Sequence, residues 1–440
     1  MNTLKDKVIG SYYGMALGNA MGLSSKSLKP ETIRQLFSSM DNFKDVSPFI
    51  GKGVKKFKMK GLYGYQAQSA LVIGDSLLKN KKKADPRKIS QLFLKMTTNG
   101  PEHYFGTFRH PGKGFYQSVE SLTEGLPRIP KHDIADASFL SMGIPAGLLH
   151  RERPEAGLHS NITIGLMMSR NLCEITGLAL TGYIASRLLQ LEHGHNSDDL
   201  NGTEMVLKDA EIFCQKIETR LRESAPNLWN NAPESEHGML EQTIKTLREK
   251  WDTDFHELLN WICKNASERH RIKITNPAQS FVLTLLPLCL IIVLRKYFGF
   301  DSTMTSVLNM GKEADKTGVL VGTWAGSLYG LHGIPESWRS GLVNGKQIQL
   351  RGEGLFTNSF PKDAKDIYEM ELGLTLKEFE VGKKYFQKGK KFTRPTPRPI
   401  LSWEDTDTDE LNIPEKSDVV NWRKFEKDKS RTKKNRRKNL

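Results

Sequence analysis

Glu313 and Asp315 stand two residues apart between Lys312 and Lys316. Two carboxylates between two ammonium groups make a place of strong local charge. A lysine close to such a carboxylate lowers its pKa and takes over its hydrogen bonds. A second polar constellation is Asp136-Ala137-Ser138, which leads into the small-residue segment ending at His150. A third is the stretch 100–115, rich in glycine, aromatics and the basic side chains of Arg109, His110 and Lys113. It runs into a helix expected at 116–122. Such an entry suits an anion, because free backbone N–H groups converge at a helix start. The same composition also makes an ordinary loop.

These groups need elements to hold them. Directly after the Glu313–Lys316 cluster, Gly318, Gly322, Gly326 and Gly330 recur every fourth residue. Gly10, Gly14, Gly18 and Gly22 repeat the spacing near the N-terminus. Four-residue spacing places each set on one helix face. An interior glycine costs a helix about 1 kcal/mol relative to alanine, so each stripe needs compensation. Two helices packed almost backbone to backbone, brought together from opposite ends of a domain, provide it. The alternative is two unrelated glycine-rich helices. Neither stretch has the roughly 20 apolar residues of a bilayer span.

The chain has 440 residues and a formal net charge of +15. That length allows one large domain or two ordinary ones. Cys173, Cys214, Cys263 and Cys289 form no CxxC pair. They read as buried free thiols in a reducing compartment, which with the lack of a signal peptide points to the cytoplasm. The apolar run 281–294 is interrupted by Pro287 and too short to span a membrane. It reads as a buried helix.

Taken in order, helical periodicity appears at 5–22, from Lys29 onward, at 63–79 and at 87–97. It continues through 163–191, with a break at Ser169-Arg170-Asn171, and through 203–222, 238–263 and 280–298. No period-two stretch precedes residue 340, so the fold expected is all-α. Three regions are expected: a helical domain over 1–340, an extension over 341–400 and a charged, disordered tail over 401–440. The tail carries an acidic run at 404–410 and ten lysines and arginines between Arg423 and Lys438. Such a block is either a solvated tail or an arm for polyanions.

Several stretches together resemble the ADP-ribosylglycohydrolases, a family that includes the dinitrogenase-reductase-activating type. The first glycine-ridged helix is similar to the family's opening helix. Residues 64–78 look like its Thr-Asp-Asp-Thr helix, and 136–148 resemble its substrate loop. Ser169-Arg170 falls where the family has Thr-His, and 311–338 resemble its Gly-Gly-Asp-Thr-Asp-Thr segment. The resemblance implies a compact multi-helix bundle. It also implies a cleft where carboxylates hold two magnesium ions and ADP-ribose is bound and cleaved at its anomeric carbon.

The sequence departs from that pattern at the ligands. Gly64, Tyr65, Gln66 and Ala67 occupy the Thr-Asp-Asp-Thr positions, Asn19 stands where the first helix carries an aspartate, and Lys316 replaces a ligating threonine. Only Glu313 and Asp315 remain as metal ligands, leaving at most one weak magnesium site. Lys316, or its neighbour Lys312, is expected to stand in for one metal. The hydrolytic reading takes Glu313, Asp315 and Asp136 as acid and base. Asn19, Gln66, Ser138, Ser169, Arg170 and Lys316 would contact ADP-ribose or an ADP-ribosylated substrate. The competing readings are an inactive module that binds ADP-ribose or a nucleotide, and a structural helical protein with a decayed cleft.

Overall fold

The computed structural model describes residues 3–122, 130, 132–191, 200–295 and 299–386. The acidic run and the basic tail lie outside the described residues. Among those described, the chain forms eighteen α-helices and no β-strand. The first third holds α1 (Leu4–Ser25), α2 (Pro30–Phe37), α3 (Tyr65–Lys79), α4 (Pro86–Thr98), α5 (Lys113–Ser121) and α6 (Ile144–Leu149). The middle holds α7 (Pro154–Met168), α8 (Leu172–Leu188), α9 (Leu200–Ser224), α10 (Pro226–Asn231), α11 (Met239–Glu249) and α12 (Phe255–His270). Then come α13 (Val282–Arg295), α14 (Phe300–Leu308), α15 (Ala314–Tyr329), α16 (Glu336–Gly341), α17 (Gly345–Thr357) and α18 (Ile367–Phe386).

Helix α1 starts at Thr3, whose hydroxyl accepts from Asp6 N, and is buried on every side from Asp6 to Ser25. A helix without a polar face belongs in the middle of a core. Its glycine stripe meets that of α15 antiparallel. An added Cβ would lie 2.1 Å from Gly322 O at Gly14, and 1.9 Å from Gly318 O at Gly18. From the other side, a Cβ at Gly326 would lie 2.2 Å from Gly10 O. No side chain fits there, and the two backbones pack directly. Gly330 ends α15 with φ +71°, a conformation that glycine adopts freely.

Helix α13 is buried from Val282 to Leu294, Pro287 included. No helix among the described residues is long and apolar enough to cross a membrane. The stretch 238–263, expected as one helix, is two: Asp254 caps α12 by accepting from His256 N and Glu257 N. An aspartate that bonds its own following backbone stops one helix and starts another.

Residues beyond 340 contribute α17 and α18 to the same core. Arg351 of α17 forms a bidentate pair with Asp75 of α3 at 2.9 and 3.0 Å. Glu371 of α18 accepts from Arg109 at 2.7 Å and from Tyr63 and Gln68 at 2.7 and 2.8 Å. All these side chains are buried.

Candidate functional site

The site forms where the C-terminal end of α1 meets the first turns of α3 and α15. Helix α3 has no side-chain cap of its own. Instead, Gly64 N donates to Asn19 Oδ1 at 2.6 Å and Tyr65 N donates to Arg109 O at 2.9 Å. The entry to α15 is pinned the same way: Lys312 N donates to Leu28 O, and Ser27 N donates to Lys312 O. These contacts fix three helix ends around one point.

Asn19, Gln66 and Asp315 converge there. Asn19 Nδ2 donates to Gln66 Oε1 at 3.0 Å and to Asp315 O at 3.1 Å. Gln66 Nε2 donates to Asp315 Oδ2 at 2.8 Å. Asp315 is fully buried, and the same Oδ2 lies 3.0 Å from Lys26 Nζ. Burial alone would raise the Asp315 carboxyl. The charges of Lys26 and Lys316 outweigh it and hold the group below the usual carboxylate range.

The lysine paired with Asp315 is therefore Lys26, not Lys316 or Lys312. Lys316 Nζ donates instead to Asp136 O at 2.8 Å and to Ser280 Oγ, and lies 3.3 Å from Glu313 Oε2. Glu313 and Asp315 part company because residues two apart at a helix start do not share a face. Asp315 points into the knot, whereas Glu313 is partly exposed at the rim.

Asp136 belongs to a second cluster. Glu174 Oε2 accepts from His132 Nε2 at 2.9 Å and from Ser169 Oγ at 3.0 Å. Asp136 Oδ1 lies 3.5 Å from the same His132 nitrogen. Ser138 N donates to both carboxylates, at 3.0 and 2.9 Å. Burial opposes charge on His132, but Asp136 and Glu174 together raise it well above its ordinary value. Asp136 moves the other way: despite burial, Lys316 and His132 hold it far below its usual range. Burial dominates at Glu174 and pushes it up. Arg170 turns outward to Asp133 at 3.2 Å and joins the cluster only through Arg170 N, which donates to His132 O.

Two basic side chains of the loop at 100–115 turn into the fold, while Lys113 is exposed. Arg109 binds Glu371, Tyr63 O and Thr375, and His110 Nε2 lies 3.1 Å from Glu378. Lys58 adds a further amine at the end of α1, donating to Leu23 O. Burial, and then the neighbouring charge of Lys26, push it down to about 7.

The donor set of the first knot does not fit a magnesium pair. Each ion takes about six oxygens. Here Asn19 Oδ1, Gln66 Oε1 and Asp315 Oδ2 are all occupied by N–H groups, which leaves Asp315 Oδ1 as the buried oxygen without a partner. In the second cluster, ligand atoms of His132, Asp136 and Glu174 lie within 4.8 Å of one another, close enough for one metal ion. The raised His132 keeps its proton on that side of the ring, so an ion must first displace it.

His132, Glu174, Lys26 and Lys58 are the side chains that sequence reading missed. Glu174 sits three residues after the cap Asn171, where an acid reads as part of a helix start. Nothing local marks the others.

A family model for the ADP-ribosylglycohydrolases matches residues 1–365. A solved structure described as an ADP-ribosylglycohydrolase-related protein complex shares the fold, with a TM-score of 0.53 at 17% identity, over 82% of this chain and 100% of that chain. A search of curated proteins finds no match. The family match spans most of the chain and includes every residue of both clusters, so this protein belongs to the ADP-ribosylglycohydrolase family.

Proposed function

We propose that this protein binds an ADP-ribosyl group, as ADP-ribose or on an ADP-ribosylated substrate, and does so without magnesium. The observation that carries the reading is the 3.0 Å contact of Lys26 with Asp315, which puts a fixed ammonium on the carboxylate that a metal would need. Lys26 and Lys316 then supply the positive charge that metal ions supply elsewhere.

Hydrolysis is the weaker reading. A useful general base has a pKa near the working pH, and Asp136 is held far below it. Asp315 is buried and paired. Of the three acids expected from the sequence, Glu313 is the one left for that role, and Lys316 engages it at 3.3 Å. The four cysteines are unpaired, which supports a reducing, cytoplasmic setting.

Calorimetric titration with ADP-ribose, in magnesium and again in a chelator, tests the proposal. Equal affinity in both is expected, with no release of free ADP-ribose from an ADP-ribosylated substrate. Affinity that vanishes in the chelator would sink it. Hydrolysis lost on Glu313→Gln would establish the enzymatic reading instead.

A further inference from the structure

The connection from α2 to α3 is an anchored loop that leaves lysines on the surface. Residues 41–62 carry six lysines and no arginine, against two aspartates and no glutamate. Val54 and Phe57 are buried, and Phe57 stacks on Tyr385 of α18 with ring centroids 5.2 Å apart. Met59 N donates to Glu378 Oε1 of the same helix at 2.9 Å. Lys52, Lys55, Lys56 and Lys60 are set among these anchors, and all four are exposed. None of the four forms an ion pair among the described residues.

The acids around the loop leave this charge standing. Asp41 is taken by Lys44 at 2.7 Å, and on α2 Glu31 lies 3.8 Å from Arg34. Glu378 faces inward, toward Met59 N, Tyr104 and His110. Glu380 lies 3.8 Å from Lys383. Asp45 remains, held below its usual range by hydrogen bonds from Ser47 and also by the charges of Lys60 and Lys384. The row of lysines continues inward as well. Lys58, lowered chiefly by burial, also feels Lys26 and then Lys56, and Lys26 reaches Asp315.

We propose that this loop binds nucleic acid by its phosphodiester backbone, with Lys52, Lys55, Lys56 and Lys60 each meeting a phosphate. A lysine is a compact point charge, and phosphate contacts carry no base sequence. Residues 50–64 form neither helix nor strand, so nothing here is shaped to read base edges in a groove. An anionic membrane fits less well. Docking on a membrane calls for an exposed apolar face, and Val54 and Phe57 are spent inside the fold. Acidic protein segments are gripped by arginine forks, and the loop has no arginine. The inference goes beyond the ADP-ribosyl reading and stands whether or not that reading holds.

The test titrates a fluorescent single-stranded oligonucleotide with the full chain at several salt concentrations and follows anisotropy. The loop variant combines Lys52→Gln, Lys55→Gln, Lys56→Gln and Lys60→Gln. A control variant of equal charge carries glutamine at Lys208, Lys245, Lys250 and Lys264, exposed lysines on or beside α9, α11 and α12. Both should melt as wild type does, because exposed substitutions away from packing cost little. The loop variant should lose about tenfold or more in affinity at low salt. The slope of log affinity against log salt should fall by about 3, the value of four phosphate contacts on a single strand. The control should keep the wild-type slope. If the fourfold change disturbs the fold, Lys55→Gln with Lys56→Gln carries the same test at half the fall in slope. An unchanged slope in the loop variant, an equal fall in the control, or no binding by wild type at low salt overturns the proposal. Vesicles containing phosphatidylserine give the other arm: a loop variant that loses vesicle binding while keeping the oligonucleotide assigns the loop to a membrane and overturns it too.

Discussion

Lys26 Nζ lies 3.0 Å from Asp315 Oδ2 and ties the end of α1 to the start of α15 through a nearly dry ion pair. Removing one partner of such a pair strands the other. Lys26→Met is expected to destabilise the protein by about 3–5 kcal/mol. It should also create a magnesium response that wild type lacks, because Asp315 then needs a cation. Urea unfolding with and without magnesium checks both, and a variant indifferent to magnesium argues against a metal-replacing role for Lys26.

The same pair fixes a pH dependence. Asp315 has a lowered pKa in the folded state. Its contribution is therefore complete above the unfolded value of about 3.9 and is lost as pH falls through the folded one. Wild type should lose stability on acidification more steeply than Asp315→Asn. Parallel acid limbs would contradict this.

Lys58 acts at the alkaline end. Its folded value is about 7, against about 10.4 unfolded. Between these limits the unfolded chain holds a proton that the folded chain has released, so stability rises with pH, by at most about 1.4 kcal/mol per unit. Lys58→Met should flatten that rise. Equal slopes from about pH 7.5 to 9.5 in both proteins would show that Lys58 stays charged.

Gly322 faces Gly14 so closely that an added Cβ would sit 2.2 Å from Gly14 O. That obstacle is backbone and cannot swing aside. Gly322→Leu should destabilise by about 3 kcal/mol or more through overpacking. An unchanged melting temperature would mean that the helices separate at little cost.

Ending the chain after residue 340 should abolish folding. It removes Arg351 from Asp75 and Glu371 from Arg109, leaving two buried charges without partners. Each orphaned charge costs about 3–5 kcal/mol, a large part of a typical domain's stability of about 5–15 kcal/mol, and the core surface that α17 and α18 cover is lost as well. Circular dichroism of the truncated chain would decide the matter, and a cooperative melt would refute it.

The glycine stripes were legible because a period of four is a local signal whose packing consequence is steric. Asn19, Gln66 and Asp315 were legible as a group through the order of motifs along the chain. The Lys26–Asp315 pair was not, since an ion pair between residues far apart in sequence leaves no trace in either neighbourhood. Nor was the His132–Glu174 contact, for the same reason. The partner of Arg109 was not legible either, since Glu371 lies on a helix beyond the expected domain end. The break at Asp254 was missed because apolar periodicity resumes after it.

The packing of α1 on α15 sets an order of events during synthesis. Helix α1 ends at residue 25 and α15 begins at 314. At roughly 5–20 residues per second, α15 leaves the ribosome on the order of 15–60 s after α1. Throughout that interval α1, which has no polar face, lacks the surface it was shaped for. Contacts of such long sequence separation form slowly, because chain entropy must be spent before they reward it. The molecule therefore cannot grow outward from its N-terminus. Its centre is assembled late, once α15 has been made.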